Sequence, residues 1–401
     1  MKKAIMFFVK PYGVVFITVT MSLFAWFIPD NFGFWKGFDR QEDFTFNSLF
    51  IFISWYSLII FLSYLGYKFG LKIKIDTKKF ESIKLEKSMP FYILSFFSWA
   101  GLLSSILSVI NKMGIEGIIL SMIDFSLNMI EEALYEEYSA GIYSLRYTII
   151  IVFGLSLYKL YRREQRTLCI INIILFIIYT VIFGKRLQIL CGLFIFLSYF
   201  SSNRILIEKL KVRKLILSFL VVIILFIVAS TLRGFNTFSS LGFENPVSAT
   251  LANVVLYLAA PMQGFLTIAN KIGIDNNTFN FFALGTIDYR LNTNSGFSFI
   301  VMSTKNGEFG IDRTFLPYHG YGLVLGYLYI SVISLLYSFF LGILWKLRST
   351  YFFNAYGVIL YAFGEIWRID LFSVGIFFTL LIISTFVTTA VIVFNSVKVK
   401  F

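Results

Sequence analysis

The sequence predicts an all-α polytopic membrane protein with about ten transmembrane helices, in a range of 10–12, forming a single integral membrane domain over 1–401. Three observations carry that expectation. Of the 401 residues, 58% are hydrophobic and only 14% are Asp, Glu, Lys or Arg, whereas a soluble domain carries roughly 25% charged residues. The mean hydropathy of +0.80 and the 49 Phe represent more apolar surface than a core of this size can hide, so lipid must solvate much of it. The apolar residues also fall in runs of spanning length, separated by basic loops.

The first run, Tyr12 to Pro29, follows the basic start Met1-Lys2-Lys3. It ends in Ile28-Pro29-Asp30, without a small-residue cleavage pattern, and so reads as an uncleaved helix rather than a signal peptide. Further runs cover Ser48 to Gly66, Pro90 to Asn111, Ile142 to Leu160, Leu168 to Gly184 and Leu187 to Ser202. The last four are Leu215 to Leu232, Tyr318 to Trp345, Tyr351 to Ile369 and Leu371 to Phe394. Cys169 and Cys191 both lie inside such runs and give no disulfide framework, and the single histidine, His319, excludes a His-rich metal site.

Placing the N-terminus inside and alternating assigns 23 of the 35 basic residues to the inward segments, against five of the 22 acidic ones. The formal charge of +13 thus divides into +18 inside and −5 outside, a strong positive-inside bias that predicts both termini in the cytoplasm. In a soluble chain such a charge would suggest nucleic acid. Here it sets orientation, and no nucleic-acid partner is expected.

Every inward connection is short, so any chemistry is expected at the outer face or within the membrane. Two outward segments are long. Residues 112–141 place Ile115, Ile118, Ile119, Met122, Ile123, Leu127, Ile130 and Leu134 at helical spacing and predict an amphipathic segment on the outer surface. The longest loop, 233–317, contains the apolar stretch Val247 to Ala269, interrupted by Pro261 and Gly264. It predicts a re-entrant or interfacial helix, because a full span there would reverse the alternation and put the basic C-terminal segments outside.

Only six of the 23 inward basic residues are Arg, whereas seven of the 12 outward ones are: Arg40, Arg146, Arg186, Arg233, Arg290, Arg313 and Arg368. Arg186 follows Gly184-Lys185, Arg233 follows Thr231-Leu232, Arg146 opens the fourth span and Arg368 closes the ninth. Any one of them could be an interfacial anchor or an ion-pair partner, as Glu365 is for Arg368, three residues away on one helical face. Together they work against insertion and suggest an anion site, since guanidinium offers two parallel donors matched to phosphate oxygens and stays charged when buried. His319, Glu308 and Asp312 are the alternatives for a general base near the outer boundary. Gly322 and Gly326 read as helix-packing positions. No Walker-type glycine loop, Asp-X-Asp pair or Cys-X-X-Cys is present, so neither ATP, a cofactor nor a metal is called for. Charged residues are nearly absent from the middles of the spans, which argues against an ion-coupled pump.

The layout resembles the oligosaccharide repeat-unit polymerases of the O-antigen polymerase (Wzy-type) family. The resembling residues are Gly184-Lys185-Arg186, Thr231-Leu232-Arg233-Gly234, the Tyr257-Leu258-Ala259-Ala260-Pro261 stretch, the Thr314 to Gly322 helix entry and Arg368-Ile369-Asp370. The sequence departs from the family pattern at His319-Gly320-Tyr321-Gly322, where an acidic residue and Phe are expected before the glycine.

The resemblance implies a metal-independent glycosyltransferase of the lipid-phosphosugar (GT-C-like) architecture in a bacterial inner membrane, with 112–141 and 233–317 periplasmic. Its substrates would be undecaprenyl-diphosphate-linked repeat units, and a chain-length regulator and a flippase of the same pathway are the implied partners. Arg186, Arg233 and Arg290 would bind the lipid diphosphates, with Arg313, Arg368, Arg146 and Lys185 in support, and His319 or Glu308 would deprotonate the acceptor hydroxyl. An O-antigen ligase, and in a different class a lipid-linked oligosaccharide flippase, remain open alternatives.

Overall fold

The computed structural model describes residues 2–36, 43–124, 128–135, 142–183, 186–208, 242–267, 269–270, 317–368, 371–373 and 375–398, with isolated residues at 224, 227–228, 231 and 239. Among these the chain is almost entirely helical, and the sole extended pairing is an isolated bridge between Lys84 and Thr350. The helices are α1 (Lys2–Phe8), α2 (Pro11–Trp26), α3 (Phe46–Lys72), α4 (Met89–Ile123), α5 (Asn128–Tyr135), α6 (Thr148–Tyr161) and α7 (Arg166–Phe183). They continue as α8 (Arg186–Ser202), α9 (Arg204–Glu208), α10 (Pro246–Thr267), α11 (Pro317–Lys346), α12 (Phe353–Glu365) and α13 (Gly375–Lys398). Four helical segments are long and apolar enough to cross a membrane: α3, α4, α7 and Leu328–Lys346 of α11. The predicted seventh span, 215–232, lies outside the described residues apart from 224, 227–228 and 231.

Large apolar side chains point outward along these helices. Phe24, Phe50, Phe96 and Phe386 are exposed. In water such a surface would be an aggregation liability, whereas lipid solvates it without cost, which is the behaviour of a membrane-embedded helical bundle.

The bundle has two distinct ends. At one, Lys10 before α2 donates to the Tyr67 hydroxyl near the end of α3 (2.5 Å), and the Tyr356 hydroxyl near the start of α12 donates to the Val9 carbonyl (2.6 Å). Lys159, in the last turn of α6, donates to the Leu85 carbonyl (2.9 Å), and Tyr351 donates to the Lys87 carbonyl (2.8 Å). The Tyr199 hydroxyl near the end of α8 donates to the Asn354 side chain (3.0 Å). The lysine-rich connections predicted to face one side of the membrane therefore do share one end. Lys159 is itself buried and holds the 73–88 connection against the bundle.

The axis of the bundle is the pair α3 and α11, which run parallel. Gly66 meets Leu335, and Gly70 meets Phe339 and Gly342, so both helices descend toward the lysine-rich end together. A methyl group on Gly70 would overlap the Phe339 carbonyl and lie 2.9 Å from the Gly342 Cα. Glycine here permits backbone-to-backbone contact, the usual device for helix association in lipid.

The predicted amphipathic segment is split rather than continuous. α4 breaks at Gly114, whose φ of 70° and ψ of 170° are open only to glycine, and resumes to Ile123 before α5 begins at Asn128. Ile115, Ile119 and Ile123 are exposed, whereas Ile130 and Leu134 of α5 are buried. Leu127 lies outside the described residues.

Both ends of α10 are tied to the connection between α2 and α3. Lys36 donates to the Gly242 carbonyl just before the helix, and Asn270 just after it donates to the Asp43 carbonyl (3.1 Å) and accepts from the Thr45 hydroxyl (2.9 Å). Midway, the Ser22 hydroxyl of α2 donates to the Leu258 carbonyl (2.7 Å). α10 thus lies across the end of the bundle remote from the lysines, and Pro261 within it removes one backbone donor.

Candidate functional site

Helix lengths differ across the bundle. α6 and α12, with 14 and 13 residues, rise only about 20 Å, while α3 and α11, with 27 and 30, exceed the roughly 30 Å hydrocarbon core. Since α6 and α12 are anchored at the lysine-rich end, their other ends are the α-helical starts or ends furthest from the lysines, and before α6 the chain winds as the 3-10 turn Ile142–Tyr147. The buried charged groups lie at those ends.

The first group is built on α12 and roofed by α10. Arg368 donates from Nε to Glu365 Oε2 (2.9 Å), and the Tyr257 hydroxyl of α10 donates to the same carboxylate, 3.1 Å from each oxygen. Glu365 and Arg368 are only 3% and 2% exposed. The guanidinium lies 4.4 Å above the Tyr257 ring, and Trp367 packs edge-on against that ring at 5.9 Å while its indole N–H is taken up by the Gly364 carbonyl (2.8 Å). Cys191 of α8 and Tyr361 of α12 lie within electrostatic reach of Glu365. A charged pair so far from water persists only when its attraction and hydrogen bonds offset a desolvation cost of several kcal/mol, on the order of that estimated for each buried ion. The pair therefore holds the Arg368 guanidinium in a fixed orientation against Glu365 in a low-dielectric setting.

The second group surrounds Arg146, 1% exposed, in the 3-10 turn Ile142–Tyr147 that leads into α6. Gly101 of α4 makes room for it, since a Cβ there would come 2.8 Å from the Leu145 Cβ and overlap the Arg146 backbone. Gly101 is twelve residues into α4, so Arg146 sits about 18 Å from the start of that helix rather than at its outer boundary. Its Nη2 donates to the Tyr147 hydroxyl (3.1 Å), and the guanidinium lies 4.8 Å over the same ring.

α8 runs antiparallel to α12, with Tyr199 opposite Asn354 and Ile195 against Gly357. That register brings the first residue of α8, Arg186, to the level of the Glu365–Arg368 turn. Gln188, in the same first turn, is buried. His319 falls in the first turn of α11, also at the end remote from the lysines. The side chains of Arg186 and His319, and all of Lys185, Arg233, Arg290, Glu308, Asp312 and Arg313, lie outside the described residues.

The structure thus brings together Arg368, Tyr257 and the Arg186 position, and buries Arg146 deeper than its place in the sequence suggested. Tyr257 and Gln188 were not among the expected polar contributors. For Tyr257 the signal was present, because it opens the Tyr-Leu-Ala-Ala-Pro stretch. Among the described residues, no cluster of three or more His, Cys, Asp or Glu side chains is placed to hold a metal ion. No protein-family model, no curated protein and no solved structure matches the chain.

Proposed function

We propose that this protein is a membrane glycosyltransferase that polymerises lipid-linked glycan repeat units. It transfers the growing chain from undecaprenyl diphosphate to a hydroxyl of the incoming unit, at the face opposite the lysine-rich end, which is the cytoplasmic one. The observation that carries this reading is the pair of buried guanidinium groups, Arg368 and Arg146, at helix ends on the side where positive charge opposes insertion. In the reaction the bond from the anomeric carbon to the diphosphate oxygen breaks and a bond to the acceptor oxygen forms. The acceptor's proton passes to a base, His319 or Glu308, and the leaving diphosphate gains negative charge. Guanidinium groups fixed beforehand stabilise that charge without reorganisation, a contribution of about 3–4 kcal/mol for one well-placed donor.

The test is the glycan ladder of cells carrying single substitutions in protein inserted at normal levels. Arg186→Ala, Arg233→Ala and Arg368→Lys are expected to abolish long chains while one repeat unit still reaches its acceptor. Full-length polymer from all three would overturn the reading. Loss of every attached unit would instead point to a ligase or flippase.

A further inference from the structure

The lysine-rich end carries a feature that topology does not require. Lys10 lies 3.4 Å from the centre of the Trp345 ring and 4.7 Å from that of Tyr67, besides its hydrogen bond to the Tyr67 hydroxyl. Arg348 lies 6.0 Å from the same Trp345 ring, with Nη1 donating to the Trp345 carbonyl (3.3 Å). Lys68 sits 5.5 Å over the Tyr64 ring, which meets Tyr12 edge-on at 5.4 Å. Three basic side chains, from the turn after α11, from α3 and from the entry to α2, therefore converge on one aromatic cluster. Among the described residues none of the three is in an ion pair, although Lys84, Lys159, Arg162 and Arg368 are. Burial brings the Lys10 pKa down to about 7, helped by the repulsion of Arg348 and Lys68, the charged groups that bear on it.

Gathering like charges without a carboxylate costs free energy unless an anion completes the cluster. The Tyr and Trp rings identify its level as the membrane–water boundary, where aromatic side chains concentrate. Lys68 and Arg348 are exposed, so the cluster opens to that boundary. From this geometry we infer that Lys10, Lys68 and Arg348 form a binding site for the phosphate of an anionic membrane lipid, with the Trp345 and Tyr64 rings flanking the headgroup. The site is at the opposite end from Arg368 and stands whether or not the polymerase reading does.

The full-length protein, purified in a neutral detergent, is titrated with phosphatidylglycerol or phosphatidylcholine and bound lipid is counted by native mass spectrometry. Phosphatidylglycerol is expected to be retained in preference to phosphatidylcholine. The variant Lys68→Gln/Arg348→Gln is expected to weaken that retention about 30-fold, given about 1 kcal/mol per basic residue at an anionic surface. The control Lys74→Gln/Lys87→Gln, which removes the same charge from the same end, should retain the lipid. Because Lys68 and Arg348 are exposed, their replacement does not threaten the fold, and thermal unfolding of each variant checks this. Equal loss in both variants would overturn the site in favour of diffuse attraction. Inorganic phosphate or pyrophosphate displacing the lipid at millimolar concentration would overturn the lipid assignment.

Discussion

Separating the two roles of the Glu365–Arg368 pair gives the most direct measure of that end of the bundle. With side-chain exposures of 4% and 2%, neither charge has water to fall back on. Glu365→Gln keeps an acceptor for the Tyr257 hydroxyl but strips the countercharge from Arg368, and removal of one partner of a buried pair costs about 3–5 kcal/mol. Arg368→Met leaves the carboxylate buried with Tyr257 alone and should cost a similar amount. Replacing both removes the uncompensated charge altogether, so the double variant should fall at least about 3 kcal/mol short of the summed single losses. Reversible unfolding in mixed micelles, followed by the fluorescence of Trp367 beside Tyr257, reads these differences at the pair itself. The double variant is expected to fold and yet to give no long glycan. Single variants within about 1 kcal/mol of the parent would refute the burial argument. A folded double variant that still makes full-length polymer would reduce Arg368 to a structural role.

Three further outcomes follow from local geometry. Gly70→Ala should weaken the α3–α11 contact by about 1–3 kcal/mol through overpacking, whereas Gly117→Ala meets no backbone and only the Met113 side chain, its Cβ at 3.2 Å, and should cost less; thermal unfolding of the two distinguishes them. Gly114→Ala meets nothing within 4 Å, so the whole of its expected cost, about 1–3 kcal/mol, comes from φ of 70°, and limited proteolysis after Ile123 should report the loosened elbow. Lys10 releases its proton near pH 7 in the folded protein and near 10.5 when unfolded. The unfolded chain therefore binds more protons between those values, so stability should rise with pH across that window. Lys10→Met should flatten that rise, and unfolding midpoints from pH 6 to 10 check it.

Much of the helical framework was legible in the sequence because apolar runs and basic loops obey lipid solvation and little else. The run Tyr12 to Pro29 became α2, Leu168 to Gly184 became α7, and Tyr318 to Trp345 became α11, each within a few residues. Depth was not legible. The run Ile142 to Leu160 reads as one span, yet its first six residues wind as a 3-10 turn and only the part from Thr148 onward is the α-helix α6. Hydropathy averages over such a run and cannot register that Gly101, on another helix, has cleared a place for the Arg146 backbone. Likewise Glu365 and Arg368 three residues apart announce an ion pair, but the third member, Tyr257, lies 108 residues from Glu365 and is delivered by a helix that crosses the bundle end.

That difference in depth changes what the arginines can do. A guanidinium at the membrane boundary is hydrated and screened, and its contact with a phosphate is worth little more than any surface ion pair. Arg368 and Arg146 instead are buried, each backed by an aromatic ring at 4.4 and 4.8 Å. Their charge was desolvated when the protein folded, so an arriving anion does not have to strip it of water. For the proposed transfer, that burial means that part of the desolvation cost of holding a phosphate charge has already been met in folding.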